Sequence, residues 1–296
     1  MKSLPRSVAI GVLLVGAFSS GAAGSEGSNG VETRLIVIQP GYPGSTQDAT
    51  GFMKRLAEYL SRRASVPGVS ALYHNLPDQA LAAIRGGEFA CGIVSPGFYL
   101  EHRKSLGLSA RLEVLPVGRY HLVAPRGPSK VKPEDLVGKT VVGGVFYERE
   151  FVRRVVFTGV AGVGSWNTVP TLKITRALRK VERGRFQAAV LNEREFRTLE
   201  KLGRLKNLEK VFDSEYYPMA FFVVFEGATS GPGDPEPTGR LAAALRSMAD
   251  NPEGKEILET MGCDGFRALN PVRLEKLEKR YDGETKRTSN PTSQER

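Results

Sequence analysis

The stretch "LAAIRGGEFACGIVSPGFYL", Leu81–Leu100, decides the architecture. Its first half completes a helix that Pro77 opens ("PDQALAAIRGG") and Gly86-Gly87 closes. The apolar run "FACGIVSP" follows as a buried strand and stops at Ser95-Pro96. Upstream, "TRLIVIQPGYPGST" reads as a strand over Leu35 to Ile38 with a Pro/Gly loop after it. In "FMKRLAEYLSRRA", Phe52, Leu56 and Leu60 share one helical face with Met53 and Ala57 beside them. "ALYHNL" is a second strand. The order is therefore β-α-β-α-β, which predicts a parallel sheet with helices on its faces.

Downstream, "LEVLPVGRYHLVAP" supplies two strands, and Thr140 to Val142 enter another from the polar turn "KPEDLVGKTVVGG". "EFVRRVVFTGV" reads as a helix, and "LKITRALRKVERG" as a helix with Ile174, Leu178 and Val181 on one face and Gly184 at its end. "FQAAVLN" and "MAFFVVFEG" are buried strands. After the loop "GATSGPGDPEPTG" come a helix with Leu241, Leu245 and Met248, and a short one that Asn251 caps, Pro252 starts and Gly262 stops. These last helices read as having no strands of their own, so they pack back on the first sheet. The expected organisation is two α/β lobes, each a mainly parallel sheet flanked by helices, with two hinge crossings and a cleft. Residues 33–117 plus 219–281 make lobe one and 118–218 make lobe two. From Asp282 to residue 296 the chain is polar and aperiodic and reads as a disordered tail.

A length of 296 residues accommodates two such lobes. Residues 1–24 read as a signal peptide: Lys2 and Arg6 precede the apolar run Val8 to Phe18 and the small residues "SSGAAG". No cysteine follows that run, which excludes a bacterial lipoprotein anchor. The chain is expected in the periplasm or secreted, soluble after cleavage. Discounting Lys2 and Arg6, the net charge of +10 falls to +8. Such a surface favours anionic ligands or membrane headgroups, and export argues against nucleic acid. An oxidising compartment permits a Cys91–Cys263 disulfide. The alternative is two buried thiols.

Several motifs fail on inspection. "LVGKT" lacks the P-loop glycine five positions earlier, where Pro133 stands, and it enters a strand rather than a helix. "GVGSWN" ends in Asn167 where a dinucleotide fingerprint needs Gly. His74, His102 and His121 show no metal-ligand spacing. Neither a catalytic constellation nor a cofactor site is read, and no metal is expected.

What remains are loops at the C-terminal ends of strands, where open α/β sheets bind ligands. The candidate ligand-binding residues are Tyr42, Ser45 and Thr46 in the first loop and Ser95 and Tyr99 in the second. Tyr120, Gly144, Tyr147 and Asn192 belong to the second lobe. Each loop precedes a helix whose first N–H groups are free to hold an anion or a carbonyl. Any one of them is an ordinary Gly/Pro/Ser turn. Two from each lobe together outline a site.

"LAAIRGGEFACGIVSPGFYL", "KPEDLVGKTVVGG", "ALRKVERGRFQAAVLNE" and "MADNPEGKEILETMGCDGFRAL" together resemble the type 2 periplasmic solute-binding proteins. The similarity is to the binding components of phosphate, phosphite and phosphonate ABC transporters. It implies the two-lobed type 2 fold, a small anionic, phosphonate-like ligand in the interlobe cleft, and an ABC permease as partner to a monomer. Where phosphonate-binding members carry a Ser/Thr loop, this chain has "GGVFYERE", and Glu148 there would repel a phosphonate. A ligand-sensing or accessory subunit for a membrane partner fits the same sequence. An enzyme on this scaffold would need an acid/base or nucleophile constellation that the sequence does not show.

Overall fold

The computed structural model describes residues 32–87, 89–226 and 237–288, with side chains to residue 283. The signal-peptide reading, the 227–236 part of the Gly/Pro loop and residues 289–296 lie outside them. Eleven strands among the described residues form two separate sheets.

The first sheet is built from β1 (Thr33–Ile38), β2 (Val69–His74), β3 (Cys91–Val94), β4 (Leu108–Leu115), β10 (Phe221–Phe225) and β11 (Gly265–Ala268), in the order β11-β4-β10-β3-β1-β2. The second holds β5 (Tyr120–Pro125), β6 (Thr140–Gly143), β7 (Asn167–Pro170), β8 (Ala188–Asn192) and β9 (Leu208–Asp213), in the order β7-β6-β8-β5-β9. Both sheets are mixed, which corrects the expectation of mainly parallel ones. The β1–β2 and β1–β3 pairs are parallel, but β10 is antiparallel to both β3 and β4. Likewise β6 runs parallel to β7 and β8, while β5 is antiparallel to β8 and β9. The reason is topological. β5 and β10 each enter their sheet from the hinge, at the edge where the neighbouring strands end, so they run the opposite way.

Three further expectations change. The C-terminal segment does carry a strand, since β11 pairs antiparallel with β4 at the sheet edge. The helix expected over "EFVRRVVFTGV" is one α-turn, α4 (Arg149–Phe151), that continues as a π-helical turn over Val152–Val156. The tail expected from Asp282 does not begin there. The last helix, α9 (Pro271–Thr288), runs through that position, and Asp282 pairs with Arg103 at 2.7 Å and Lys104 at 2.9 Å.

The remaining helices are α1 (Thr46–Ala64), α2 (Pro77–Gly86), α3 (Pro96–His102), α5 (Ile174–Glu182), α6 (Glu193–Lys201), α7 (Pro237–Arg246) and α8 (Pro252–Met261). On one face of the first sheet, Leu35, Val37 and Ile93 pack against Leu56, Tyr59 and Leu60 of α1 and Leu241 and Leu245 of α7. Each fully buried side chain of this kind contributes roughly 1.5–3 kcal/mol. Cys91 and Cys263 are free thiols in this layer, not a disulfide. On the outer face of the second sheet, Val142, Ala189 and Leu191 meet Ala177, Leu178 and Val181 of α5 and Leu199 of α6.

The third cluster belongs to neither lobe alone. Ile36, Val94, Phe98 and Leu100 of the first lobe join Val145, Phe146, Phe151, Val152 and Trp166 of the second, with Leu277 and Tyr281 of α9 at its margin. The two crossings, Pro116–Arg119 and Ser214–Ala220, are bonded to each other. Gly118 N–H donates to Tyr217 O at 2.9 Å, and Tyr217 N–H returns to Gly118 O at 2.7 Å.

Candidate functional site

The ends of the parallel strands point at the space between the lobes, and four loops meet there. The first follows β1. Gly41, at φ +81°, donates its N–H to Asn75 O at 3.1 Å, and Asn75 Nδ2 donates to Tyr42 O at 3.0 Å and to Gly44 O. This loop touches its counterpart after β6: a Cβ on Gly41 would lie 2.2 Å from Gly144 O, so only glycine permits the approach.

Ser45 and Thr46 do stand at the start of α1, but their polar groups are taken. Ser45 caps the helix reciprocally with Asp48: its hydroxyl accepts from Asp48 N–H at 3.1 Å, and its own N–H donates to Asp48 Oδ2 at 2.9 Å. Thr46 Oγ1 donates to Tyr73 O at 2.8 Å. The carboxylate an α1 N-terminus attracts is therefore supplied by the chain.

A similar substitution occurs at α3. Ser95 caps it, accepting from Phe98 N–H at 3.3 Å. Glu148, from the second lobe, reaches across to this point. Its Oε1 accepts from Ser95 Oγ, and from Phe98 N–H at 2.6 Å. A Cβ on Gly97 would sit 2.6 Å from Glu148 Cδ, so the bare α-carbon leaves the carboxyl its room. Glu148 is 5% exposed. Burial pushes its carboxyl up, the Ser95 and Phe98 bonds oppose this, and Glu101 adds to it, leaving it at about 7.

Tyr120 is buried on β5, in register with Asn192 of β8, and stacks edge-on against Phe151 at 5.8 Å. Its hydroxyl is pushed well up by burial, and further by Glu148, Tyr42 and Glu195. Tyr42 is pushed up by burial and by Glu195 and Glu148, with Arg194 opposing. Asn192 caps α6 in a reciprocal box: it accepts from Glu195 N–H at 2.9 Å, and its own N–H donates to Glu195 Oε2 at 3.0 Å. Burial lifts Glu195 to about 7 against that backbone bond.

The structure thus sets Tyr42, Ser95, Tyr120, Gly144 and Asn192 around one contact between the lobes. Tyr99, Ser45 and Thr46 are engaged elsewhere. Tyr99 donates its hydroxyl to Glu278 of α9 at 2.7 Å and packs on Phe221. Tyr147 is half-buried, and its side chain makes no hydrogen bond or ring contact among the described residues. Ser45 is exposed, and Thr46 is turned to the β2 backbone.

Beside these loops, against the hinge, lies a cavity of about 220 Å³. The first lobe contributes Gln39, Tyr42 and Cys263, and the second Glu193, Arg194 and Arg197. Arg194 Nη1 donates to Met261 O at 2.8 Å and so spans the lobes, while Arg197 pairs with Glu193 at 2.6 Å. The reading stopped at Asn192-Glu193 and missed Arg194 and Arg197, although Asn192-x-x-Glu195 carries the spacing of a capping box and marks where α6 begins.

Behind the cavity, buried His121 bridges Asp213 at 2.6 Å and Glu193 at 3.2 Å, and Arg119 reaches both carboxylates. Burial alone would raise Glu193, but Arg197 and His121 hold it below the usual carboxylate range. Asp213 is likewise held down by Lys210 and His121 against burial. Among the described residues no His, Cys, Asp or Glu cluster is arranged to hold a metal ion.

Known structures share this two-sheet arrangement over nearly their whole length. XAC2383 from Xanthomonas citri, solved bound to ATP, superposes with a TM-score of 0.67 at 16% identity, covering 86% of this chain and 99% of that one. The fold is that of a type 2 periplasmic binding protein. A binding protein component of an ABC phosphonate transporter from Pseudomonas aeruginosa has a TM-score of 0.65 at 15% identity, covering 89% and 91%. PhnD1 from Prochlorococcus marinus, in complex with methylphosphonate, has 0.60 at 14%, covering 86% and 99%. Residues 162–272 match the model of a family described as the periplasmic substrate-binding protein of the phosphonate ABC transporter. No curated protein matches the sequence.

Proposed function

We propose that this chain is an exported solute-binding protein that holds a small solute between its lobes and delivers it to an ABC permease. We take residues 33–117 with 219–281 as one lobe, 118–218 as the other, and the working form as a monomer. The observation that carries the reading is the cavity of about 220 Å³ at the hinge, lined from both lobes. A solute there would make contacts that exist only when the lobes are together, which is how hinged closure is coupled to binding. The family match over residues 162–272 supports binding rather than catalysis. Among the described residues no helix is long and apolar enough to cross a membrane.

The solute class proposed is a small anion of phosphonate type. The chemistry nearest to that need is the pair Arg194 and Arg197, with Tyr42 and Gln39 opposite. The expected seat is closed at Ser45 by Asp48 and at Thr46 by the Tyr73 carbonyl. Native mass spectrometry of the purified protein should show a copurified small molecule. Calorimetry with methylphosphonate, phosphite, phosphate and an alkyl sulfonate should then rank the class. Losing one charged hydrogen bond costs about 1.5–3 kcal/mol, so Arg194→Met should weaken binding roughly 10- to 150-fold. Binding of none of the four anions, or binding indifferent to Arg194→Met and Tyr42→Ala, would overturn the assignment.

A further inference from the structure

Glu148 belongs to the second lobe by chain position and to the first by its bonds. It ends the 3₁₀ turn Gly144–Glu148 that follows β6, yet both donors to its Oε1, Ser95 Oγ and Phe98 N–H, are in the first lobe. Phe98 is the third residue of α3, where an N–H has no partner within the helix. The lobes are in contact around it, through Gly41 on Gly144 and Gly97 on Glu148.

We propose that Glu148 is a proton-dependent latch that holds the two lobes closed on each other.

The groups facing the carboxyl are Glu101 on α3, Tyr42 in the loop after β1 and Tyr120 on β5. Among the described residues no lysine, arginine or histidine pairs with it. On its own turn, Arg149 is exposed, and Glu150 is turned to Arg153 and Arg154 at 2.7 and 2.8 Å. A buried carboxylate without a cation is costly, whereas a neutral carboxyl accepts the same two bonds at little cost. The latched form therefore retains its proton to about 7, against 4.5 for a free glutamate. A group with a raised value stabilises the latched form fully below the free value and loses that stabilisation as pH rises through the latched one. The window is pH 4.5 to 7. From pH 5 to pH 9 the latching equilibrium should fall about 50- to 100-fold. Glu195 also titrates near 7, but its capping box lies within the second lobe.

The test needs no solute, so its failure leaves the solute-binding reading untouched. Hydrogen exchange at the Phe98 amide and the radius of gyration from small-angle scattering are followed from pH 5 to 9. This is done for the native sequence and for Glu148→Gln, with circular dichroism to establish folding. In the native protein, Phe98 protection, corrected for intrinsic exchange, should fall about 50- to 100-fold as the radius rises. In Glu148→Gln, which keeps an acceptor oxygen and cannot ionise, both should be flat and closed. A native protein insensitive to pH overturns the proposal. So does a Glu148→Gln variant with the native pH profile, which would transfer the effect to Glu195.

Discussion

Replacing Gly97 by alanine sets two effects of opposite sign against each other. Gly97 is the second residue of α3, and alanine there should favour the helix by roughly 0.5–1 kcal/mol. The new Cβ would fall 2.6 Å from Glu148 Cδ and 2.8 Å from its Cβ and Oε1, well inside contact distance. Glu148 has to leave, and with it go the bonds from Ser95 Oγ and Phe98 N–H. Two hydrogen bonds to a largely protonated carboxyl contribute about 1–3 kcal/mol together. The net expectation is a loss of about 1–2 kcal/mol from lobe closure, with the first lobe itself unharmed. The assay is urea denaturation combined with scattering, on Gly97→Ala, Glu148→Ala and the double variant. In the Glu148→Ala background the Gly97→Ala change should be neutral or stabilising by up to about 1 kcal/mol. The same loss in both backgrounds would refute the reasoning, because alanine would then be clashing with something other than Glu148.

Glu113 is 1% exposed and pairs with Arg267 at 2.5 Å and Arg273 at 3.3 Å. Arg267→Met should cost about 2–4 kcal/mol in urea denaturation, because it leaves a buried carboxylate with one weaker partner, and Glu113→Leu should cost less. The depressed Glu193 and Asp213 carboxyls stabilise the fold above the ordinary carboxylate range, and that contribution is lost as pH falls through their lowered values. Calorimetric Tm should therefore drop below about pH 4, and the drop should be shallower in Asp213→Asn. Burial pushes both thiols up to about 12. A thiol reagent should react slowly with the native chain and find two thiols once it is denatured without reductant. A count of zero would mean they are bonded.

The first lobe was legible because β1, β3 and β10 are buried on both faces and its helices are punctuated. Ser95-Pro96 and Asn251-Pro252 state a cap and a first helical residue outright. The elements that escaped lack such marks. β7 ("NTVP") is an edge strand almost without buried residues, and β9 ("LEKVFD") alternates charge with half-buried side chains. Strand direction was not readable either, because β10 takes its sense from the hinge rather than from its own sequence. For the site, glycines and caps located the loops. Five of the nine candidate residues gather where the lobes touch, and of the nine Tyr42 alone lines the cavity. The partner of each polar group was not visible. Glu148 reads in sequence as a residue that would repel an anion. Its bonds to Ser95 and Phe98, the latter fifty positions away, tie it to the other lobe instead.

The interleaving of strands has a consequence for how the gene can be divided. The family-matched segment, residues 162–272, contains β7, β8 and β9 but neither β5 nor β6, the two strands that flank β8. It contains β10 and β11 but not β3 or β4, between which β10 is inserted. Excised, it would lose seven strand pairings, β7–β6, β8–β6, β8–β5, β9–β5, β10–β3, β10–β4 and β11–β4, leaving exposed edges suited to aggregation rather than folding. The unit that is recognisable by similarity and the unit that can fold are different objects in this chain. A truncation designed on the first would fail, whereas one that keeps residues 32–283 would retain every strand and the pairing of Asp282 with Arg103.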